Sequence, residues 1–341
     1  MSSQKKPFGL WASPVSAAML SQRISLQDAQ WDSDGQTLLW LEGRGERNVL
    51  VARPASDARR DLTQEENVRG TVGYGGGDYC VGGGVVFFAG KEGRLYRRGL
   101  GAERARAITP AYGGVASPAL SPCGKWLVYV FSDGSSDLLG LVDAEGQEWP
   151  VKLARGADFY MQPAWHPQGN FLAWVEWDHP NMPWDGTRLK LARIDGGRVT
   201  DVQLVDGGRD ITAESGEKMT SQHAERLLLY TAAWVQGMRS FVWSADSREI
   251  YHLRYQDGSA SLWLVEIESG ASEKLDTAPY TWLGQPSVSP QGEVALVAPS
   301  ATVSPDVWVA DEGWLFLIGG TNAVLRYYTD PSYFTEAHAL G

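Results

Sequence analysis

Apolar and polar positions alternate along the chain in one recurring plan. An aromatic or aliphatic residue leads into a four-residue polar turn, and a short apolar run follows. Five segments share it: Trp31-Asp32-Ser33-Asp34-Gly35, Leu120-Ser121-Pro122-Cys123-Gly124, Trp165-His166-Pro167-Gln168-Gly169, Trp243-Ser244-Ala245-Asp246-Ser247 and Val288-Ser289-Pro290-Gln291-Gly292. Proline presets a turn φ and glycine accepts a positive one, so the chain reverses there. The runs that follow, such as Trp126-Leu127-Val128-Tyr129-Val130, are rich in β-branched and aromatic residues, as buried strands are. Only residues 20–30 and 221–230 carry a weak helical pattern.

The starts at 31, 120, 165, 243 and 288 lie 89, 45, 78 and 45 residues apart. A unit of about 40–45 residues with four strands is the period of a β-propeller blade. The 89-residue interval holds two units, with a degenerate start near Tyr79-Cys80-Val81. The 78-residue interval is short for two, and 207–239 is weakly patterned. The sequence thus predicts an all-β propeller of four-stranded blades, six or seven in number, over residues 21–312. Blade starts fall near 31, 79, 120, 165, 243 and 288, an extension covers 1–20, and the tail at 313–341 is unassigned. A pair of β-sandwiches fits the sustained period less well.

Composition agrees. Of 341 residues, 39 are Gly, for turns, and 15 are Trp, for packing sheets. A net charge of −11 repels phosphate backbones, which argues against nucleic acid as a partner. No apolar stretch is long enough for a membrane helix, and no secretory leader pattern follows Met1. Cys80 and Cys123 make neither a disulfide framework nor a four-ligand zinc site. Both read as small buried filler in a reducing cytoplasm.

Several segments narrow the picture. Turns of the Trp-Ser-Pro-Asp-Gly type resemble the blade starts of TolB-type propellers and of prolyl oligopeptidase-superfamily serine peptidases. Phe8-Gly9-Leu10-Trp11-Ala12-Ser13-Pro14-Val15, Leu39-Trp40-Leu41-Glu42-Gly43-Arg44, and Tyr74-Gly75-Gly76-Gly77 after Asn67-Val68-Arg69 resemble the acylaminoacyl-peptidase and dipeptidyl-aminopeptidase-like branch. So, most specifically, do Gly156-Ala157-Asp158-Phe159-Tyr160 and Trp177-Asp178-His179-Pro180-Asn181-Met182-Pro183-Trp184-Asp185-Gly186. The resemblance runs from about residue 8 to 310.

It implies a propeller that covers an α/β-hydrolase domain and admits short or flexible peptides. It also implies a hydrolase with a Gly-x-Ser-x-Gly-Gly nucleophile elbow, then Asp, then His. This sequence has no such elbow. Gly258-Ser259-Ala260-Ser261-Leu262 is the nearest string, and it lies within a blade pattern. A second departure follows Glu214-Ser215, where most of one family blade is missing. The expectation is therefore a non-catalytic, substrate-selecting propeller whose hydrolase domain acts in cis or in trans. The alternatives are a free-standing propeller that binds a protein or peptide and, behind it, a metal-dependent enzyme of lactonase type.

The sequence offers no catalytic residue, no metal-ligand pattern and no cofactor motif. Candidate contacts to substrate or hydrolase are Asp178, His179, Asn181, Trp184 and Asp185 in the Pro-rich loop, Tyr74 beside the three glycines, and Glu214. Loops on rigid scaffolds commonly carry function. The bland readings are a structural loop, a tight turn and a solvated carboxylate. Recurrence of Trp31, Trp165 and Trp243 at one repeat position points to packing between blades.

Overall fold

The computed structural model describes residues 24–55, 58–181, 188–207, 235–239, 241–246, 248–256, 259–266, 271–298, 306–311, 314–318 and 326–328. Among these the chain is all-β. No helix among them is long and apolar enough to cross a membrane.

Among the described residues six antiparallel sheets follow one another. The first holds β1 (Ile24–Trp31), β2 (Thr37–Arg44), β3 (Arg47–Pro54) and β4 (Arg60–Asp61). The second holds β5 (Tyr79–Gly82), β6 (Val85–Gly90), β7 (Arg94–Gly99) and β8 (Arg106–Ala107). The third holds β9 (Gly114–Leu120), β10 (Trp126–Ser132), β11 (Asp137–Asp143) and β12 (Val151–Ala154). The fourth holds β13 (Phe159–Trp165), β14 (Phe171–Trp177), β15 (Arg188–Asp195) and β16 (Arg198–Gly207). The fifth holds β17 (Phe241–Trp243), β18 (Glu249–Gln256), β19 (Ser259–Glu266) and β20 (Ser272–Lys274). The last has five strands: β21 (Gly284–Val288), β22 (Val294–Ala298), β23 (Asp306–Asp311), β24 (Trp314–Ile318) and β25 (Arg326–Tyr328). The final two come from the stretch to which the sequence assigns no role.

The first strands of the sheets touch in series. β1 packs on β5, β5 on β9, β9 on β13 and β17 on β21, and β21 returns to β1. They surround a common axis, with the later strands of each sheet further out. This is a β-propeller.

Side-chain alternation explains why the strands read as continuous apolar runs. In β2, Leu38 and Trp40 pack toward Ala295 and Val297 of the last sheet, while Leu39 and Leu41 pack toward Val86 and Phe88 of the second. A sheet buried on both faces needs apolar residues at odd and even positions alike. The same interleaving joins the second sheet to the third, the third to the fourth and the fifth to the last.

The repeated turn has one hydrogen-bond pattern. Gly35 donates to the Asp32 carbonyl at 2.9 Å, Gly124 to Ser121 at 2.8 Å, Gly169 to His166 at 2.7 Å and Gly292 to Ser289 at 3.0 Å. All four glycines have positive φ, which a side chain would strain. His166 serves its turn through this carbonyl.

Three residues before each of four motif starts, the first strand bulges. Asp28, Ser117, Gln162 and Gln285 all sit at positive φ, between 45° and 57°. Their strands shift register there against β2, β10, β14 and β22. A non-glycine residue in this region carries strain of about 1 kcal/mol or more, which the surrounding structure must hold.

Two expectations need correction. Residues 24–30 are not helical, because their backbone pairs with β2 along the length of β1. Residues 221–230 lie outside the described residues. Cys123 is not buried filler: it is exposed in its turn, with Sγ 3.3 Å from Ser121 Oγ. Trp31 and Trp165 do pack between sheets but only partly buried, whereas Trp40, Trp174 and Trp177 are almost wholly enclosed.

Candidate functional site

The Pro-rich loop leaves the end of β14 at Trp177 and is described as far as Asn181. Its start is clamped by reciprocal hydrogen bonds. The Asp158 amide donates to Asp178 Oδ1 at 3.0 Å, and the His179 amide donates to Asp158 Oδ2 at 2.9 Å. The Asn181 amide closes a turn onto the Asp178 carbonyl at 3.0 Å. The peptide bond between His179 and Pro180 is cis.

Arg188, opening β15, ties the loop to the sheet. Its Nη2 lies 2.6 Å from Asp178 Oδ2, and its Nε donates to Glu176 Oε1 at 3.3 Å. The other Glu176 oxygen accepts the Trp174 indole N–H at 2.8 Å. Partial burial works against ionisation of Asp178, but the Arg188 hydrogen bond, the Asp158 amide and the Arg188 charge outweigh it, so its carboxyl titrates below the ordinary value. Asp178 is thus a held anion rather than a proton donor.

Beneath the loop is an aromatic base. Phe159 stacks on Trp177 with centroids 5.0 Å apart, and the His179 ring meets Phe159 edge-on at 4.7 Å. Tyr74 arrives from the segment before β5 and meets both Phe159, at 5.6 Å, and Trp177, at 5.4 Å, edge to face. Such pairs add about 0.5–1.5 kcal/mol each beyond area burial. Burial pushes the Tyr74 phenol above its ordinary value.

The glycines after Tyr74 make this reach possible. Gly75, Gly76 and Gly77 all have positive φ, and the Gly77 carbonyl accepts the Ser117 amide at 2.7 Å. The segment therefore passes over β9 of the third sheet to reach the fourth. No phosphate cradle is needed to explain it.

The structure thus brings Tyr74, Asp178, His179 and Asn181 into one neighbourhood. Trp184, Asp185 and Glu214 lie outside the described residues. Sequence reasoning did not single out Phe159, which touches every ring of the cluster, or Arg188 and Asp158, which fix the loop. A register signal existed for Arg188, which pairs with Glu176 across β14 and β15. Phe159 stands in the Gly156-Ala157-Asp158-Phe159-Tyr160 segment that carries the resemblance, but its ring partners are remote in sequence. Among the described residues no group of three or more His, Cys, Asp or Glu is placed to hold a metal ion.

No protein-family model matches the sequence, and no curated protein does. Solved structures do match. A puromycin-hydrolyzing peptidase of Mycobacterium tuberculosis has a TM-score of 0.75 and 24% identity over 93% of this chain and 56% of that one. A puromycin hydrolase mutant complexed with PGG has a TM-score of 0.77 and 25% identity over 96% of this chain and 57% of that one. The fold is that of the propeller part of prolyl oligopeptidase-type peptidases. A structure from a study of two prolyl endopeptidases is more distant, with a TM-score of 0.56 and 10% identity over 85% of this chain and 47% of that one. This chain spans little more than half the length of the puromycin-hydrolyzing peptidases it matches.

Proposed function

We propose that this chain is the substrate-selecting propeller of a cytoplasmic serine peptidase of acylaminoacyl-peptidase or dipeptidyl-aminopeptidase kind, and that it does not itself cut peptides. The observation that carries this reading is the match of nearly the whole chain to a little over half of a puromycin hydrolase, at a TM-score of 0.77. Hydrolysis then belongs to an α/β-hydrolase that works with it in cis or in trans. The propeller's part is to restrict what reaches that hydrolase to short peptides.

In this reading the turn at 178–181 touches substrate or hydrolase. Its start is pinned by Asp158 and Arg188, which both hold Asp178, and it rests on stacked rings, so little order is lost when it meets a partner.

The purified chain, offered an alkyl fluorophosphonate and aminoacyl nitroanilides, tests the non-catalytic half. The expected result is no labelled serine and no nitroaniline release. Stoichiometric labelling of a serine in this chain would overturn it.

A further inference from the structure

The four bulged residues of the inner strands grip the same short segment. Ser117 donates through Oγ to Gln236 Oε1 at 2.9 Å. Gln162 donates through Nε2 to the Met238 carbonyl at 2.8 Å. Gln285 accepts the Arg239 amide at 2.8 Å through Oε1. Asp28 accepts Arg239 Nη2 at 2.6 Å. These residues belong to the third, fourth, last and first sheets, so residues 235–239 touch inner strands on opposite sides of the axis.

The second sheet's approach completes the enclosure. The Gln236 amide donates to the Gly75 carbonyl at 2.7 Å, and Gly76 and Gln236 form a parallel bridge. Gln236 is almost fully buried, and its Nε2 donates to the Tyr160 carbonyl at 2.7 Å. Arg239 adds bonds to the Ala29 carbonyl at 2.7 Å and to that of Pro286 at 3.1 Å.

We propose that residues 235–239 are a plug that closes the axial channel of the propeller, held by the ring of bulged residues and able to leave it without unfolding the sheets. The strain stored at Asp28, Ser117, Gln162 and Gln285 has a use in this account: each bulge turns its side chain onto the plug. Apart from the single backbone bridge between Gly75–Gly76 and Gln236, the bonds are separate contacts made through side chains rather than a continuous ladder, so the plug opens locally while the apolar seams between sheets persist. Substrate does not pass along the axis while the plug is seated. The proposal concerns the chain's own channel and stands whether or not a peptidase uses it.

Hydrogen exchange of the whole chain, read by mass spectrometry on peptides spanning 235–239, tests it. In the unaltered protein these amides are expected to exchange at least about 100-fold slower than an unstructured peptide. Exchange within about tenfold of the unstructured rate would overturn the proposal. In the double variant Ser117→Ala, Gln162→Ala, exchange at 235–239 is expected to rise by about tenfold or more, with the centre of β2 at Leu39–Leu41 unchanged. A rise shared equally by β2 would make the segment part of the sheet framework, not a plug, and so would no change at 235–239. Should that variant fail to fold, Gly237→Ala replaces it. Its added Cβ would lie 2.6 Å from Gly77 Cα, which forces the plug away from the Gly75–Gly77 segment. The same readings then decide.

Discussion

Arg239 and Asp28 stand 211 positions apart in the sequence and 2.6 Å apart in space. The pair links the approach to the fifth sheet to the bulge of β1, and the same guanidinium reaches carbonyls on both sides of the seam where the last sheet meets the first. Asp28 is buried, so removing its partner leaves a carboxylate with little water around it. Arg239→Ala is expected to cost about 2–4 kcal/mol in urea unfolding, and Arg239→Lys most of that, because an ammonium lacks the fork that serves three acceptors. A loss under about 0.5 kcal/mol, the range of an ordinary surface change, would show that the seam does not depend on the pair.

Asp78 predicts a pH dependence. It lies next to the glycines of the central segment and accepts the Gly70 amide at 2.7 Å. Burial foremost, and the Asp28 charge, hold its carboxyl up at about 6, against the pull of Gly70 and Arg69. The folded state therefore keeps a proton that the unfolded chain releases near pH 4. The stability this contributes is full below about pH 4 and lost as pH rises to about 6, at roughly 1.4 kcal/mol per unit. Asp78→Asn keeps the acceptor and has no charge to bury. It is expected to match the original protein near pH 4 and to exceed it by about 2–3 kcal/mol at pH 8. Parallel stability curves over that range would contradict the assignment.

One tryptophan–carboxylate pairing occurs twice. Trp40 donates its indole N–H to Glu42 at 2.9 Å, as Trp174 does to Glu176 at 2.8 Å, and each carboxylate also faces an arginine. Glu42 is 1% exposed at its side chain and Glu176 12%. Truncating each to alanine leaves the indole N–H without its acceptor, while Arg44 keeps Asp61 and Arg188 keeps Asp178. The expected costs are about 2–3 kcal/mol for Glu42→Ala and about 1–2 kcal/mol for Glu176→Ala by denaturant unfolding. Equal costs would mean that burial does not set the difference.

The two thiols should separate in reactivity. The Ser121 hydroxyl and the Lys125 amide draw the Cys123 thiol below its ordinary value, while burial pushes Cys80 up to about 12. Near pH 7.5 a disulfide reagent is expected to modify Cys123 at least about tenfold faster than Cys80, and Cys123→Ser to remove the fast phase. Two equal phases in the native protein would contradict the placement of Cys80.

The turn at each blade start was legible because its chemistry is local: Asp32 to Gly35 or His166 to Gly169 need only their own neighbours. The propeller followed from the spacing of those turns. The aromatic base was not legible, since Tyr74, in the segment before β5, and Phe159, in β13, meet only because three glycines carry the chain over β9. The bulges were half legible. Asp28, Ser117, Gln162 and Gln285 share a repeat position, yet their side chains differ and positive φ at such residues leaves no compositional mark. Cys123 was misread because a turn that places glycine at its last position leaves the residue before it facing water.

The central claim is that this propeller serves a hydrolase. Reading the gene and transcript past codon 341, with the neighbouring frames, tests it most directly. The account predicts a Gly-x-Ser-x-Gly-Gly elbow followed by Asp and His, in frame or in an adjacent frame. A stop with no such frame beside it would contradict the claim and leave a propeller that binds without a peptidase to serve.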